Sequence, residues 1–177
     1  AGVDVMVQPM RHQLCITAPI AGIPADRPIV RMTDASGYVR PARGGLMVGG
    51  FEQDPLPMFP ASQPGFTIDH VPVDRRVTEH FVDLMKSEFP VLEGAPAQEE
   101  RAGLFTMTAD GRLLAGPSNQ VRGFWVATGC NGSGFSLSSA IGRVLAEWIV
   151  GGEPPLDMSL LDPNRFDRHG LSDQQLL

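Results

Sequence analysis

Cysteine is scarce in this chain of 177 residues, which contains only Cys15 and Cys130. Two cysteines cannot form the disulfide framework of a small secreted domain or the thiolate cluster of a structural zinc site. This usage is typical of a reducing compartment, and we expect a cytoplasmic location. Histidines stand only at positions 12, 70, 80 and 169, without ligand spacing to cysteines or carboxylates, so we assign no metal.

Basic residues are also few. The chain has 14 Lys and Arg against 20 Asp and Glu, which gives a formal net charge of -6 and a pI near 5.1. Binding to nucleic acid or to an anionic membrane depends on clustered basic side chains, so neither partner is expected. No apolar run approaches the roughly 20 residues that are needed to cross a bilayer.

The chain opens without an initiator methionine, and a strand-like run from Val3 to Val7 stands almost at its start. We therefore expect the natural protein to continue upstream. An apolar content of 42% with 19% charged residues is that of an ordinary globular domain.

Hydrophobic periodicity divides the chain into short elements. Strands are predicted at 13–20, 29–32, 38–42, 46–52, 99–108, 113–115 and 123–128, and helices at 74–89 and 135–150. The turn Arg43-Gly44-Gly45 between two strands predicts a tight hairpin, since glycine adopts positive φ readily. The proline-rich stretch 54–72 is expected to be a surface loop, and the tail after Pro155 to be irregular.

The most distinctive motif is a predicted strand, then Gly129-Cys130-Asn131-Gly132-Ser133-Gly134, then a helix. Unpaired N–H groups at a helix N-terminus attract anionic groups, and preceding glycines let a ligand approach the backbone closely. The spacing differs from the dinucleotide-binding fingerprint Gly-x-Gly-x-x-Gly. The pattern alone is also that of a tight strand-to-helix turn without a ligand.

Two further motifs stand at strand ends. Thr106 to Gly111 runs into an Asp-Gly turn, whose ordinary role is to bond its own backbone. His12, in Met10-Arg11-His12-Gln13, is suited to proton transfer if it faces a pocket. No Gly-x-Ser-x-Gly motif is present, so Ser133 has no sequence context as a nucleophile.

Together these motifs resemble the flavin-dependent amine oxidoreductases, a family that includes sarcosine and dimethylglycine dehydrogenases, glycine oxidase and D-amino-acid oxidase. The matching blocks are residues 9–13, 38–41, 44–52, 106–116, 123–129 and 132–148. The resemblance implies an α+β fold with a mixed or antiparallel sheet and a flanking helix, followed by a strand, loop and helix of an FAD-binding domain. It implies a substrate-domain portion at 1–105, an FAD-domain portion at 106–155 and a tail at 156–177.

The cofactor implied by the resemblance is FAD. Family members hold it through an N-terminal Gly-x-Gly-x-x-Gly unit that this sequence lacks, so the expected partner is a missing N-terminal half of the same protein. The residues expected to contact the flavin are Thr106, Gly129, Asn131, Gly132, Ser133, Gly134, Phe135 and Ser136. The cysteine that bonds the flavin in sarcosine oxidases is Gly103 here, which implies a non-covalent cofactor at this segment.

The resemblance also assigns substrate-facing roles. His12 and Tyr38 match residues near the substrate in dimethylglycine-oxidising relatives, where they position it or accept a proton. The alternative is that His12 bonds the sheet edge and Tyr38 packs.

The arginines that bind the substrate carboxylate in glycine oxidase and D-amino-acid oxidase match Phe105 and roughly Gly132 here. Neither position is arginine in this chain. Arg40, Arg43 and Arg101 are therefore the candidates for carboxylate binding on chemical grounds.

The implied activity is hydride transfer from the C–N bond of a secondary or tertiary amino acid to flavin. Sarcosine oxidases carry a lysine at the position of Ser136, so its absence favours an electron acceptor other than oxygen. One alternative is a 2-hydroxy acid dehydrogenase of the same superfamily. The other is an inactive, folded interaction module whose open cofactor interface leads to self-association.

Overall fold

The computed structural model describes residues 2–166, which form two compact units. One unit comprises residues 11–104, and the other comprises the flanking described residues, 2–10 and 105–166. The resemblance implied a substrate-domain portion at 1–105 and an FAD-domain portion at 106–155, and these bounds stay a prediction. The functional assignment of the two units stays a prediction.

A five-stranded sheet forms the framework of the first unit, in the order β2-β3-β4-β1-β5. Its strands are β1 (Gln8–Thr17), β2 (Val30–Met32), β3 (Gly37–Ala42), β4 (Gly45–Gly50) and β5 (Ala97–Met107). Strand β4 pairs antiparallel with both β3 and β1. The predicted hairpin is confirmed: Arg43 and Gly44 between β3 and β4 have φ of 54° and 80°, the two positive values of a type I′ turn.

One face of this sheet is covered by helix α1 (Arg75–Met85). The side chain of Asp74 caps the helix by accepting a hydrogen bond from the N–H of Arg76, at 3.1 Å. The buried core between helix and sheet contains Cys15, Val39, Leu46, Val48, Phe81, Met85 and Leu92. Because side chains alternate along a strand, the residues between these strand positions point to the opposite face.

The second unit is built on a hairpin of β6 (Leu114–Pro117) and β7 (Trp125–Thr128), followed by helix α2 (Gly134–Gly151). Gly152 ends the helix in the left-handed conformation, with φ of 82°. One side of α2 packs on a small core of Leu113, Ala115 and Met158. None of the described helices is long and apolar enough to span a membrane.

Several predicted boundaries were wrong. The run from Val3 to Val7 forms no strand, and β1 begins at Gln8 and ends at Thr17, before Pro19. The loop at 54–72 contains short 3-10 turns at Pro60–Ser62 and Ile68–His70. The tail after Pro155 is partly ordered, with a turn at Ser159–Leu161; its last eleven residues lie outside the described part.

Candidate functional site

His12 and Tyr38 lie together on the sheet face opposite α1, which we call the site face. The His12 Nε2 and the Tyr38 Oη are 2.9 Å apart, within hydrogen-bond distance. Their rings are stacked with centroids 6.1 Å apart, and the ring of Phe51 lies 5.6 Å from that of His12. The structure thus brings together the two residues for which the resemblance implied substrate-facing roles.

Both members of the pair are neutral at pH 7. Burial lowers the pKa of His12 from 6.5 to about 4, although the carboxylate of Glu52 acts in the opposite direction. Burial also raises the pKa of Tyr38, and this effect is opposed by the positive charge of Arg40. A neutral imidazole beside a neutral phenol can accept one hydrogen bond and donate another, so the pair can orient a ligand with exchangeable protons.

A buried ion pair supports the strand behind this site. The guanidinium of Arg11 donates to both carboxylate oxygens of Glu52, at 3.2 and 2.7 Å, and the two side chains are only 10% and 5% exposed. Gln13, itself fully buried, donates to Glu52 at 3.2 Å and accepts from the N–H of Asp74 at 2.6 Å. These contacts connect β1 to the end of β4 and the start of α1.

The glycine-rich segment forms a tight turn between β7 and α2. Gly129, Asn131 and Gly132 all have positive φ, at 64°, 49° and 84°. The side-chain amide of Asn131 donates to the carbonyl of Gly129 at 2.6 Å and to the hydroxyl of Thr108 at 3.1 Å. Its oxygen accepts from the N–H of Thr108 at 3.0 Å. The Asn131 side chain therefore stabilises the turn.

Helix α2 begins without a side-chain cap, because the hydroxyl of its N-cap residue Ser133 bonds no first-turn N–H. Within residues 2–166, no acceptor is found for the backbone N–H groups of Gly134, Phe135 and Ser136. The Phe135 side chain is 99% exposed. Open N–H groups next to glycines fit the anionic edge of a reduced flavin, so this segment is compatible with the implied cofactor.

Comparison with known proteins identifies the family of the chain. The family described as FAD dependent oxidoreductase matches residues 1–148. Mitochondrial dimethylglycine dehydrogenase of Rattus norvegicus is 34% identical over 177 residues, which cover 94% of this chain and 20% of that protein. Mitochondrial sarcosine dehydrogenase of Homo sapiens is 34% identical over 173 residues, covering 98% of this chain and 18% of that protein. The chain belongs to the family of FAD-dependent oxidoreductases.

Solved structures show the same fold. The L-proline dehydrogenase from P. horikoshii matches with a TM-score of 0.75 at 24% identity, over 97% of this chain and 43% of that one. The α+β fold inferred from the resemblance is therefore confirmed. This FAD-dependent oxidoreductase chain spans about a fifth of the length of the curated relatives that it matches.

The three arginines that were candidates for substrate binding differ in their partners. Arg43 and Arg101 both form ion pairs with Glu99, so these two arginines share one carboxylate partner. Arg40 donates only to the carbonyl of Pro41, at 3.0 Å, and within the described residues it has no carboxylate partner. Arg40 stands two residues beyond Tyr38 on β3 and therefore on the site face.

Sequence reasoning missed the supporting residues. Glu52 stood in a matching block without a role, and Arg11 and Gln13 were noted only as neighbours of His12. Their partnership depends on β1 pairing with β4 nearly forty residues away in the sequence, which a local pattern does not reveal. Thr108 was missed as the partner of Asn131, whereas Thr106 only supplies the carbonyl that accepts the N–H of Asn131.

Proposed function

We propose that the full protein oxidises the C–N bond of a secondary or tertiary amino acid, such as sarcosine or dimethylglycine, with FAD as cofactor. The observation that carries this proposal is the neutral, hydrogen-bonded pair of His12 and Tyr38 on the site face, beside an unpaired arginine. The names of the dimethylglycine and sarcosine dehydrogenases to which the chain is similar support an amine substrate.

FAD, when bound, supplies the acceptor for the hydride that leaves the carbon next to the amine nitrogen. The amine must be unprotonated for this transfer, since a protonated nitrogen has no lone pair to stabilise the resulting iminium. The His12 imidazole is uncharged at pH 7, because its pKa is near 4. A pKa so far below the working pH makes His12 a hydrogen-bond acceptor that orients the Tyr38 hydroxyl rather than a store for the proton.

Arg40 is proposed to bind the carboxylate of the amino acid. A guanidinium binds a carboxylate through two parallel hydrogen bonds, which fixes the orientation of the substrate as well as its position. Replacing Arg40 with glutamine is expected to raise KM more than it lowers kcat. The matched control is Arg122→Gln, because Arg122 is exposed and lies in the other unit.

The turn from Gly129 to Ser136 is proposed to hold the flavin edge through the open N–H groups at the start of α2. The remaining contacts with FAD come from a preceding half of the same protein, which is the proposed partner. In support, no residue of α2 is buried, and Phe135, Ile149 and Val150 leave an apolar surface for another domain to cover.

The test is flavin bleaching without oxygen in the FAD-loaded full-length protein, with sarcosine, dimethylglycine and a 2-hydroxy acid as substrates. One amine should bleach the flavin, and His12→Asn and Tyr38→Phe should slow this step by about 10²-fold, because the bound amine loses its orientation. Bleaching by the hydroxy acid alone would favour the 2-hydroxy acid dehydrogenase. A full-length protein that binds no flavin and self-associates on size exclusion would favour the interaction module.

A further inference from the structure

The hydrogen bond between His12 and Tyr38 crosses an intervening strand. His12 lies on β1 and Tyr38 on β3, whereas β4 runs between them in the sheet. Neighbouring strands are about 4.8 Å apart, so the two backbones are separated by about 10 Å. The two side chains nevertheless approach to 2.9 Å, which requires the tyrosine ring to lie across β4.

The ring crosses β4 at Gly49. In the antiparallel register, Gly49 is opposite Tyr38 on β3 and opposite Leu14 on β1. A Cβ atom at position 49 would lie 2.5 Å from the Cζ of Tyr38 and 2.9 Å from its Cε2, closer than real Cβ contacts. Gly49 is not among the residues with positive φ, so space, not backbone conformation, requires glycine here.

The adjacent glycine meets a different neighbour. A Cβ atom at Gly50 would lie 2.7 Å from ring atoms of Phe81, a core residue of α1. Because consecutive residues of a strand point to opposite faces, the two glycines serve opposite sides of the sheet. The absence of a side chain at Gly50 leaves room for Phe81 of α1, and its absence at Gly49 leaves room for the Tyr38 ring.

We propose that Gly49 is a positioning residue for the His12–Tyr38 pair, because only the absence of its side chain lets the Tyr38 ring cross β4 and reach His12. This inference rests on the proposed function only for the catalytic use of the pair. An alanine at position 49 must push the ring outward by about 1 Å to regain normal contact. An increase of about 0.6 Å in the 2.9 Å separation is enough to break the hydrogen bond, so a displacement only partly directed away from His12 removes it.

The test uses the single tyrosine of the chain, since tyrosinate absorbance then reports Tyr38 alone. In Gly49→Ala the pKa of Tyr38 is expected to fall towards its ordinary value, because the displaced ring loses burial while the charged and titratable groups near it, Arg40 and Cys15, stay in place. The matched control is Gly103→Ala, a change in the same sheet whose added Cβ meets no atom within 4 Å.

The titration of His12 gives a second readout, with its NMR signal assigned by its loss in His12→Asn. In Gly49→Ala its midpoint is expected to rise from about 4 towards 6.5 as the imidazole becomes hydrated, with the Glu52 charge unchanged. If both titrations in Gly49→Ala match those of Gly103→Ala, the inference is wrong.

A double variant tests whether position 49 requires glycine because of the Tyr38 ring or for another reason. Gly49→Ala should destabilise the chain in the presence of Tyr38 but have little effect in a Tyr38→Ala background, where no ring crosses β4. Equal losses in both backgrounds would overturn the inference. These measurements need neither flavin nor substrate, so a protein that failed to oxidise amines would remove the proposed function and leave the role of Gly49 standing.

Discussion

Replacing Glu52 with alanine is expected to destabilise the 11–104 unit by about 3 to 5 kcal/mol, the usual cost of removing one partner of a buried ion pair. The Arg11 side chain is only 10% exposed, so its guanidinium would lose both carboxylate contacts without gaining full hydration. Gln13 would also lose an acceptor at 3.2 Å. The matched control is Glu147→Ala, because Glu147 and Arg143 are 45% and 81% exposed and such pairs contribute about 0 to 1 kcal/mol.

Hydrogen exchange followed by mass spectrometry is the suitable assay. Peptides from β3 and β4 report the unit that contains the ion pair, and peptides from β6 and β7 report the other unit. Tryptophan fluorescence would mislead, because Trp125 and Trp148 both lie in the unit without the pair. A further variant, Arg11→Met with Glu52→Leu, should recover most of the loss, because apolar side chains of similar size can replace a buried pair. A loss below about 1 kcal/mol in Glu52→Ala would refute the assignment of this pair as buried and supporting.

Three other outcomes are expected. Burial holds His12 neutral, so the free energy of unfolding should be highest above pH 6.5 and should fall as the pH is lowered towards 4, by at most about 3 kcal/mol. In urea unfolding, His12→Asn should show a smaller dependence of this free energy on pH over the same range. Arg165→Gln should raise the pKa of Asp110 from about 2 towards 3.8, as followed by NMR, because the Arg165 hydrogen bonds are the main cause of the low value. Ser136→Lys should speed reoxidation of the reduced FAD-loaded full-length protein by oxygen, since it restores a positive charge at the start of α2; an unchanged rate in stopped-flow absorbance would contradict this.

The elements that could be predicted from the sequence are those whose signals are local. The β3–β4 hairpin follows from adjacent glycines, and both helices follow from apolar residues at helical spacing, although α1 ends at Met85, before the predicted end at 89. The run from Val3 to Val7 was predicted wrongly, because alternating valines favour a strand only where a partner strand is available. Boundaries near Pro19 and Trp125 likewise depend on where pairing stops.

The site was predictable in its residue types but not in its partnerships. The resemblance selected His12, Tyr38 and three arginines, yet only the strand order shows that the first two meet across β4. Arg43 and Arg101 were equal candidates with Arg40 until their ion pairs with Glu99 became visible. Such contacts join residues tens of positions apart, so no local pattern of composition or spacing distinguishes them.

Side chains along β1 point alternately to the two faces of the sheet, and this links the stability of the core to the geometry of the site. Arg11 and Gln13 point to the α1 side, where the ion pair with Glu52 holds them, and His12 between them points to the site face. A histidine fixed between two anchored neighbours has little freedom to leave its hydrogen bond with Tyr38. Pre-organisation of this kind is what a site needs when a misplacement of about 1 Å costs activity. A variant that weakens the pair behind the sheet should therefore also loosen His12, even though none of its atoms touches the imidazole.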